Sequence, residues 1–366
     1  MKERPTVFEV LQERGISRRS FIKFCAATAT SLGLSGKAVQ AFAQAVGSAP
    51  RPSVIWLSFQ QCTGCSESLT RTYQDLSAFG STMKGIEGLL LDIISLDYHE
   101  TLQVAAGHQA EAAKAAALAK PGYVLVVDGA IPSGDQEWWS AAAGVSNVAA
   151  LKEAIGGAGL VVALGTCATF GGVPAAYPNP SNAKGVGDLM ASDPSLAPAL
   201  AKLVNLSGCP PIPDVISGTI ALYLSLVSQG RTGELPTLLD ELKRPKPYYG
   251  KTVHDTCPRL CHYIAGNFAR SFDDAGARAG HCLYLLGCKG PETFNACTTV
   301  KWNEGKYFPM LAGHGCLGCS EPDFWDKKVT TTDPVTKVKT FIGGTSFYAA
   351  DAEDKVPLTP EATKCA

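Results

Sequence analysis

The sequence predicts an α/β protein, a doubly wound parallel sheet followed by an irregular, cysteine-rich C-terminal domain. Three observations lead there. Apolar runs alternate with segments of helical composition as far as about residue 226. Those runs are apolar throughout rather than at every second position, as strands buried on both faces are. Beyond about residue 250 the alternation stops, and Cys, Gly and Pro accumulate. Strand and helix in alternation place helices on both faces of a parallel sheet. A chain of 366 residues with 46% apolar residues and a mean hydropathy of +0.07 can bury the core this requires.

In chain order, residues 1–45 read as a leader. Arg18 and Arg19 precede an apolar stretch, FCAATATSLGL, and Ala41-Phe42-Ala43 then offers a small-residue cleavage site. That order of polar, apolar and small residues is the pattern of a twin-arginine export signal, a pathway that carries proteins already folded around a cofactor. The apolar stretch is shorter than the roughly 18 residues a membrane span needs, and no other run reaches that length. The expected destination is the periplasm. With 32 Lys and Arg against 33 Asp and Glu there is no basic field for nucleic acid, and no nucleic-acid partner is expected.

Residues 46–240 carry the α/β pattern. SVIWLSF, LLLDIISL, GYVLVVDG, GLVVALG and KLVNLSG are the predicted strands; SESLTRTYQDLSAF, HQAEAAKAAALA and PDVISGTIALYLSLVSQ are predicted helices. The prolines between Pro236 and Pro247 mark a junction. Residues 241–328 are the irregular domain, whose weak apolar periodicity requires something other than core burial to tie it together. Residues 329–366 are polar and aperiodic, an extended arm.

Of thirteen cysteines, Cys25 falls in the leader. Cys62 and Cys65 follow the first predicted strand, Cys167 follows GLVVALG, and Cys209 follows KLVNLSG. Loops at the carboxyl ends of strands converge in such a sheet, so these thiols can meet at one crevice. His254 and Cys257 with Cys282 and Cys288 form a second group; Cys297 with Cys316 and Cys319 form a third. Disulfides and zinc are the alternatives to weigh. C-x2-C pairs make poor structural bridges and good metal or redox motifs. Three zinc sites in one exported chain, one of them three-coordinate, would be an odd use of that ion. Iron-sulfur clusters suit thiolate sets in which one histidine replaces a cysteine, and several in one chain form a path for electrons.

Eight motifs in order, QCTGCSES, YHETLQVAAGHQAE, GTCATFGGVPAAYPNP, SGCPP, HDTCPRL, GCKGP, NACTTVKWN and GHGCLGCSEPDFW, resemble the small subunit of nickel-iron hydrogenases over nearly all of residues 51–327. The resemblance implies a flavodoxin-like domain and a cluster-stabilised C-terminal domain. By position it implies Cys62, Cys65, Cys167 and Cys209 for a proximal 4Fe-4S cluster, and His254, Cys257, Cys282 and Cys288 for a distal 4Fe-4S cluster. Cys297, Cys316 and Cys319 are implied for a medial 3Fe-4S cluster, with Pro309 where a fourth cysteine would stand. No catalytic residue is expected in this chain. The nickel-iron centre is implied in a large-subunit partner, with a cytochrome acceptor or membrane-anchor subunit beyond it. A small quinone-oxidoreductase subunit shares a proximal-type cluster but lacks the C-terminal ligand set, and an exported zinc- or disulfide-stabilised binding protein is the reading without redox activity.

The chain departs from the family in four places. Gln61 replaces a frequent Glu and cannot carry a proton as a carboxylate does. Asp128 replaces a longer Glu. Gly64 and Gly172 stand where oxygen-tolerant relatives have extra cysteines, so an ordinary proximal cluster is expected, with either oxygen sensitivity or tolerance by another route. Cys261 is unassigned and is read as a buried thiol, with a substitute ligand or redox-active role as the alternative. His99 and His108 are expected to satisfy buried hydrogen bonds, Thr63 and Glu67 to order their loop, and Trp302, Phe308, Phe324 and Trp325 to pack around the clusters.

Overall fold

The computed structural model describes residues 5–13, 17–72, 94–303 and 305–326. The chain divides into two compact units, one of Met1–Ala175 with Asn179–Tyr248 and one of Ala176–Pro178 with Tyr249–Ala366. The division at Tyr248 falls just past the proline-rich stretch.

The first unit is built on a five-stranded parallel sheet of β1 (Ser53–Ser58), β2 (Ser95–His99), β3 (Tyr123–Asp128), β4 (Ala158–Leu164) and β5 (Leu203–Leu206), in the order β2-β1-β3-β4-β5. This is the flavodoxin-like strand order. Both faces are buried. Ile55, Leu57, Leu125, Val127 and Val161 pack with Leu151, Ile155, Val186 and Met190 on one side. Val54, Trp56, Val126, Val162, Leu164 and Leu206 meet Leu69, Ile216 and Ile220 on the other, around a void of about 10 Å³. Consecutive residues therefore both find apolar partners, which is why the runs carry no polar alternation. The predicted second strand begins outside the described residues, and β2 overlaps only its end.

Register decides where the site forms. Ser58 pairs with Asp128, Asp128 with Leu164, and Leu164 with Leu206. Four strands thus end on one line, and the loops that leave them emerge side by side.

Helices α1 (Val7–Glu13), α2 (Arg18–Ser31) and α3 (Lys37–Ser48) fold onto this unit, followed by α4 (Gly64–Thr70), α5 (Gly107–Leu118), α6 (Asn147–Ile155), α7 (Gly165–Phe170), α8 (Val186–Ser192) and α9 (Pro213–Ser228). In these N-terminal helices, Val7, Leu11, Phe21, Cys25 and Val46 are buried. A Cβ at Gly47 would lie 2.9 Å from the Phe21 ring, so α2 and α3 approach closely there. Arg18 and Arg19 are exposed at the start of α2, whereas Phe42 and Ala43 of the expected cleavage site are buried within α3, which packs against α9. Among the described residues no helix is long and apolar enough to cross a membrane.

The second unit has little regular structure. Short bridges link Thr252 to Phe294 and Phe268 to Cys282, and its helices, such as Leu260–Ile264, are brief. Its apolar clusters are small, one of Val253, Phe308, Met310 and Cys316 and one of Ala269, Leu283 and Leu286. Both take in cysteines at their edges. The arm of residues 329–366 lies outside the described residues.

Candidate metal centres

The first centre follows from the aligned strand ends. After β1 the chain pairs with the chain after β3 through Gln60 and Ala130, whose N–H groups donate to one another's carbonyls at 3.1 and 3.0 Å. Gly129, at φ +102°, has no room for a side chain there: a Cβ would lie 2.6 Å from Gln60. Thr63, at φ +69°, then turns the chain into α4, which carries Cys65. After β4 the chain enters α7 directly, with Gly165 at φ +84° and Cys167 two residues on. Thr166 N–H donates to Gly208 O, and Gly208 N–H to Thr166 Oγ1, both at 2.9 Å, which fastens the Cys209 loop to the Cys167 helix.

This brings together all four predicted thiols of the first group. Cys65 feels the charges of Cys167 and Cys209, Cys167 those of Cys209 and Cys62, and Cys209 that of Cys62. Burial raises Cys65, Cys167 and Cys209, Cys167 to about 12. The glycines make the space: a Cβ at Gly165 would run into Cys65 Sγ, one at Gly172 would lie 2.6 Å from Cys167 Sγ, and one at Gly64 would lie 3.2 Å from Cys62 Sγ.

Behind the thiols lies a buried polar chain, of which the sequence alone points to His99 and Asp128 but not to the serine that joins them. Thr101 N–H donates to His99 Nδ1 at 3.2 Å, which leaves the ring proton on Nε2, 3.3 Å from Ser66 Oγ. Ser66 Oγ in turn donates to Asp128 Oδ2 at 3.5 Å. Burial pushes Asp128 up to about 7, with the neighbouring Cys65, Trp56 and Ser66 side chains acting against it. Burial pushes His99 down to about 4, and the Trp56 ring packs 4.7 Å from it. His99 thus fills the expected buried role, but His108 is exposed at the start of α5. Thr63 and Glu67 also act locally: Thr63 N–H donates to Gln61 Oε1, and Glu67 pairs with Arg71 at 2.8 Å.

The second group lines one cavity in the second unit. His254, Cys257, Cys282 and Cys288 face it together with Val253, Arg259, Leu283 and Met310. Burial raises Cys282 to about 12 and holds His254 below its ordinary range. Arg259 Nη1 donates to the His281 carbonyl at 2.6 Å and spans the segment next to Cys282. Cys288 accepts from Cys316 N–H at 3.2 Å, and Lys289 N–H donates to Cys316 O at 2.7 Å, so the second and third groups adjoin.

In the third group Cys316 feels the charge of Cys319, and Cys297 that of Cys316; burial takes both Cys297 and Cys316 to about 12. Gly318 N–H donates to Cys316 Sγ at 3.4 Å, and that thiol lies 3.5 Å from Thr293 Oγ1. Trp302 and Phe308 pack with these cysteines, while Phe324 and Trp325 are buried edge to face on each other, 5.6 Å apart. Pro309 is exposed between buried Phe308 and Met310. Cys261 is not the buried thiol expected: it is half-buried on the helix Leu260–Ile264, and its sulfur, 3.5 Å from the Pro258 carbonyl, is in a disulfide.

The donor sets suit clusters. Among the described residues no three His, Cys, Asp or Glu side chains close on a single point as one metal ion demands. The second group instead lines one cavity, an arrangement suited to a multi-iron cluster. Ser66, Thr166, Arg259 and Thr293 support these thiols without any signal of their own in the sequence, although the first three each lie within two residues of a motif cysteine.

A flavodoxin-like sheet with thiols at its strand ends, joined to a thiol-rich irregular unit, defines a redox protein of the iron-sulfur class. Residues 249–332 match the family model for the C-terminal part of the NiFe/NiFeSe hydrogenase small subunit, and residues 62–223 match that of the 20 Kd subunit of NADH ubiquinone oxidoreductase. The chain is 45% identical over 321 residues to the periplasmic [NiFe] hydrogenase small subunit 1 of Nitratidesulfovibrio vulgaris, covering 87% of this chain and 94% of that one. It is 43% identical to the uptake hydrogenase small subunit of Afipia carboxidovorans, covering 88% and 82%. Among solved structures, a [NiFeSe] hydrogenase of Dm. baculatum matches with a TM-score of 0.66 and 34% identity, covering 77% of this chain and 98% of that chain. The chain belongs to the nickel-iron hydrogenase small-subunit family.

Proposed function

We propose that this chain is the electron-transfer subunit of a periplasmic nickel-iron hydrogenase, pairing with a large subunit that holds the nickel-iron centre. Cys62, Cys65, Cys167 and Cys209 hold a proximal 4Fe-4S cluster; Cys297, Cys316 and Cys319 hold a medial 3Fe-4S cluster; His254, Cys257, Cys282 and Cys288 hold a distal 4Fe-4S cluster. Bound clusters supply one-electron redox chemistry between hydrogen oxidation in the partner and an external acceptor, such as a cytochrome or a membrane-anchored subunit. The observation that carries the reading is the convergence of thiols from three strand-end loops beside Gly165, whose missing side chain leaves the sulfurs their place.

The chain's own residues do the rest. Buried thiols raised to about 12 are neutral at pH 7 without iron, so cluster assembly expels their protons. N–H donors to Cys288 and Cys316 stabilise negative charge on those sulfurs. Ser66 ties the neutral His99 to Asp128 and holds that carboxyl beside Cys65. Residues 1–45 are a twin-arginine leader removed on export.

Purification of the complex with its partner tests the reading by iron and nickel analysis and paramagnetic resonance. About eleven irons per small subunit and a three-iron signal in oxidised protein are expected. One zinc per thiol group, or oxidised protein lacking the three-iron signal, overturns the cluster assignment.

A further inference from the structure

A histidine that ligates metal ordinarily has its second ring nitrogen fixed by a carboxylate, a carbonyl or water, which sets the ring's rotation. Among the described residues no carboxylate or carbonyl accepts from the His254 ring. Its hydrogen bonds are those of its backbone, with its N–H donating to Gly290 O and its carbonyl accepting from Cys257 N–H, both at 3.1 Å. The adjacent carboxylate, Asp255, is committed to Thr252 N–H at 2.9 Å. What the imidazole meets instead is the ring of Tyr263, 4.6 Å away at 84°, an edge-to-face pair.

Tyr263 is itself held. Its ring stands edge to face with Phe268, at 5.8 Å and 86°, and with Tyr284, at 5.4 Å and 82°. Each of these aromatics is tied to the second thiol group by the backbone. Tyr263 is on the helix Leu260–Ile264, whose Leu260 N–H donates to Cys257 O at 3.0 Å. Phe268 is bridged to Cys282, and Tyr284 begins the turn two residues beyond it. Aromatic rings prefer edge-to-face or offset arrangements with centroids about 4.5 to 7 Å apart, so each of these contacts favours one orientation of the ring it meets.

We propose that Tyr263 is the positioning residue for His254. Its ring, braced by Phe268 and Tyr284, does by edge-to-face contact what a hydrogen-bond acceptor does for other metal-bound imidazoles, and fixes the angle at which His254 addresses the distal iron. The role belongs to the ring and not the hydroxyl, so Phe at 263 preserves it. The proposal rests on His254 being a distal ligand, and the test separates the two.

In the holoenzyme with its large subunit, Tyr263→Phe and Tyr263→Leu are compared with the unaltered protein. Leu keeps apolar bulk and removes the ring. Two readouts serve: the nitrogen hyperfine coupling of the reduced distal cluster by pulsed paramagnetic resonance, and that cluster's midpoint potential. A single sharp coupling and one potential are expected for the unaltered and Phe proteins. For Tyr263→Leu a spread of couplings and a shifted potential are expected. Loss of distal iron in the Leu variant but not in the Phe variant also supports the proposal. Absence of any nitrogen coupling in the unaltered protein overturns the ligand assignment. A coupling that is present and identical in all three, or equal disturbance in the Phe and Leu variants, overturns the role of Tyr263 and leaves the assignment standing.

Discussion

The two units hold their thiols by opposite means. In the first, Cys62, Cys65, Cys167 and Cys209 leave strands whose ends are set in register by the sheet, and both faces of that sheet are buried. The sulfurs meet because the fold has already brought their loops together. In the second, the cysteine-bearing segments cross by short bridges and turns around two small apolar clusters that include the cysteines themselves. There the thiols are part of the core. A regular sheet can present a metal site it does not need, whereas an irregular segment with so little core depends on what its thiols bind.

Removal of iron gives the largest expected contrast. Chelation under reducing conditions is expected to release amide protection across residues 249–326, while β1, β3 and β4 keep theirs, read by hydrogen exchange with mass spectrometry. Equal loss in both units breaks the contrast.

Gly165→Ala comes next. It places a Cβ against Cys65 Sγ at a residue whose φ is +84°. A cost of about 2 to 4 kcal/mol is expected from backbone strain with overpacking, together with about four fewer irons per chain. Denaturation and iron analysis report both, and the second unit's clusters are expected to remain.

The pH dependence of the first unit sharpens the comparison further. His99 is buried and lowered from 6.5 to about 4. Its contribution is complete above pH 6.5 and is lost as the pH falls through 4, amounting to about 3 kcal/mol. His99→Gln is expected to flatten the acid limb of stability measured by urea titration. Asp128 has the opposite sign. Its folded value is raised to about 7 from 3.8, so its contribution is complete below pH 3.8 and is lost as the pH rises through 7. Asp128→Asn is therefore expected to stabilise the metal-free chain at pH 7 relative to pH 4. The smallest effect is that of Arg71→Ala, which removes an exposed pair with Glu67 and is expected to cost under about 0.5 kcal/mol.

Much of the sheet is legible in the sequence because burial on both faces writes itself as unbroken apolar runs, and β1, β3, β4 and β5 fall on them. β2 is less so. It pairs with β1 alone at the sheet edge and its residues, SLDYH, are half polar. Residues 1–45 carry the residue order expected of a signal, but that order does not reveal that α2 and α3 pack on α9, since small and apolar residues serve both. Motif order singles out the candidate ligands. Ser66 and Tyr263 are not legible as supports, because Ser66 reaches His99 and Asp128 across 33 and 62 residues of chain, and Tyr263 acts through a ring contact that no spacing encodes.

The most direct test of the central claim is an anomalous diffraction map of the heterodimer at the iron edge. Three compact iron peaks are predicted, one among Cys62, Cys65, Cys167 and Cys209, one among Cys297, Cys316 and Cys319, and one among His254, Cys257, Cys282 and Cys288. Sulfur-to-sulfur bonds within these groups, or a single zinc ion in each, would contradict the account.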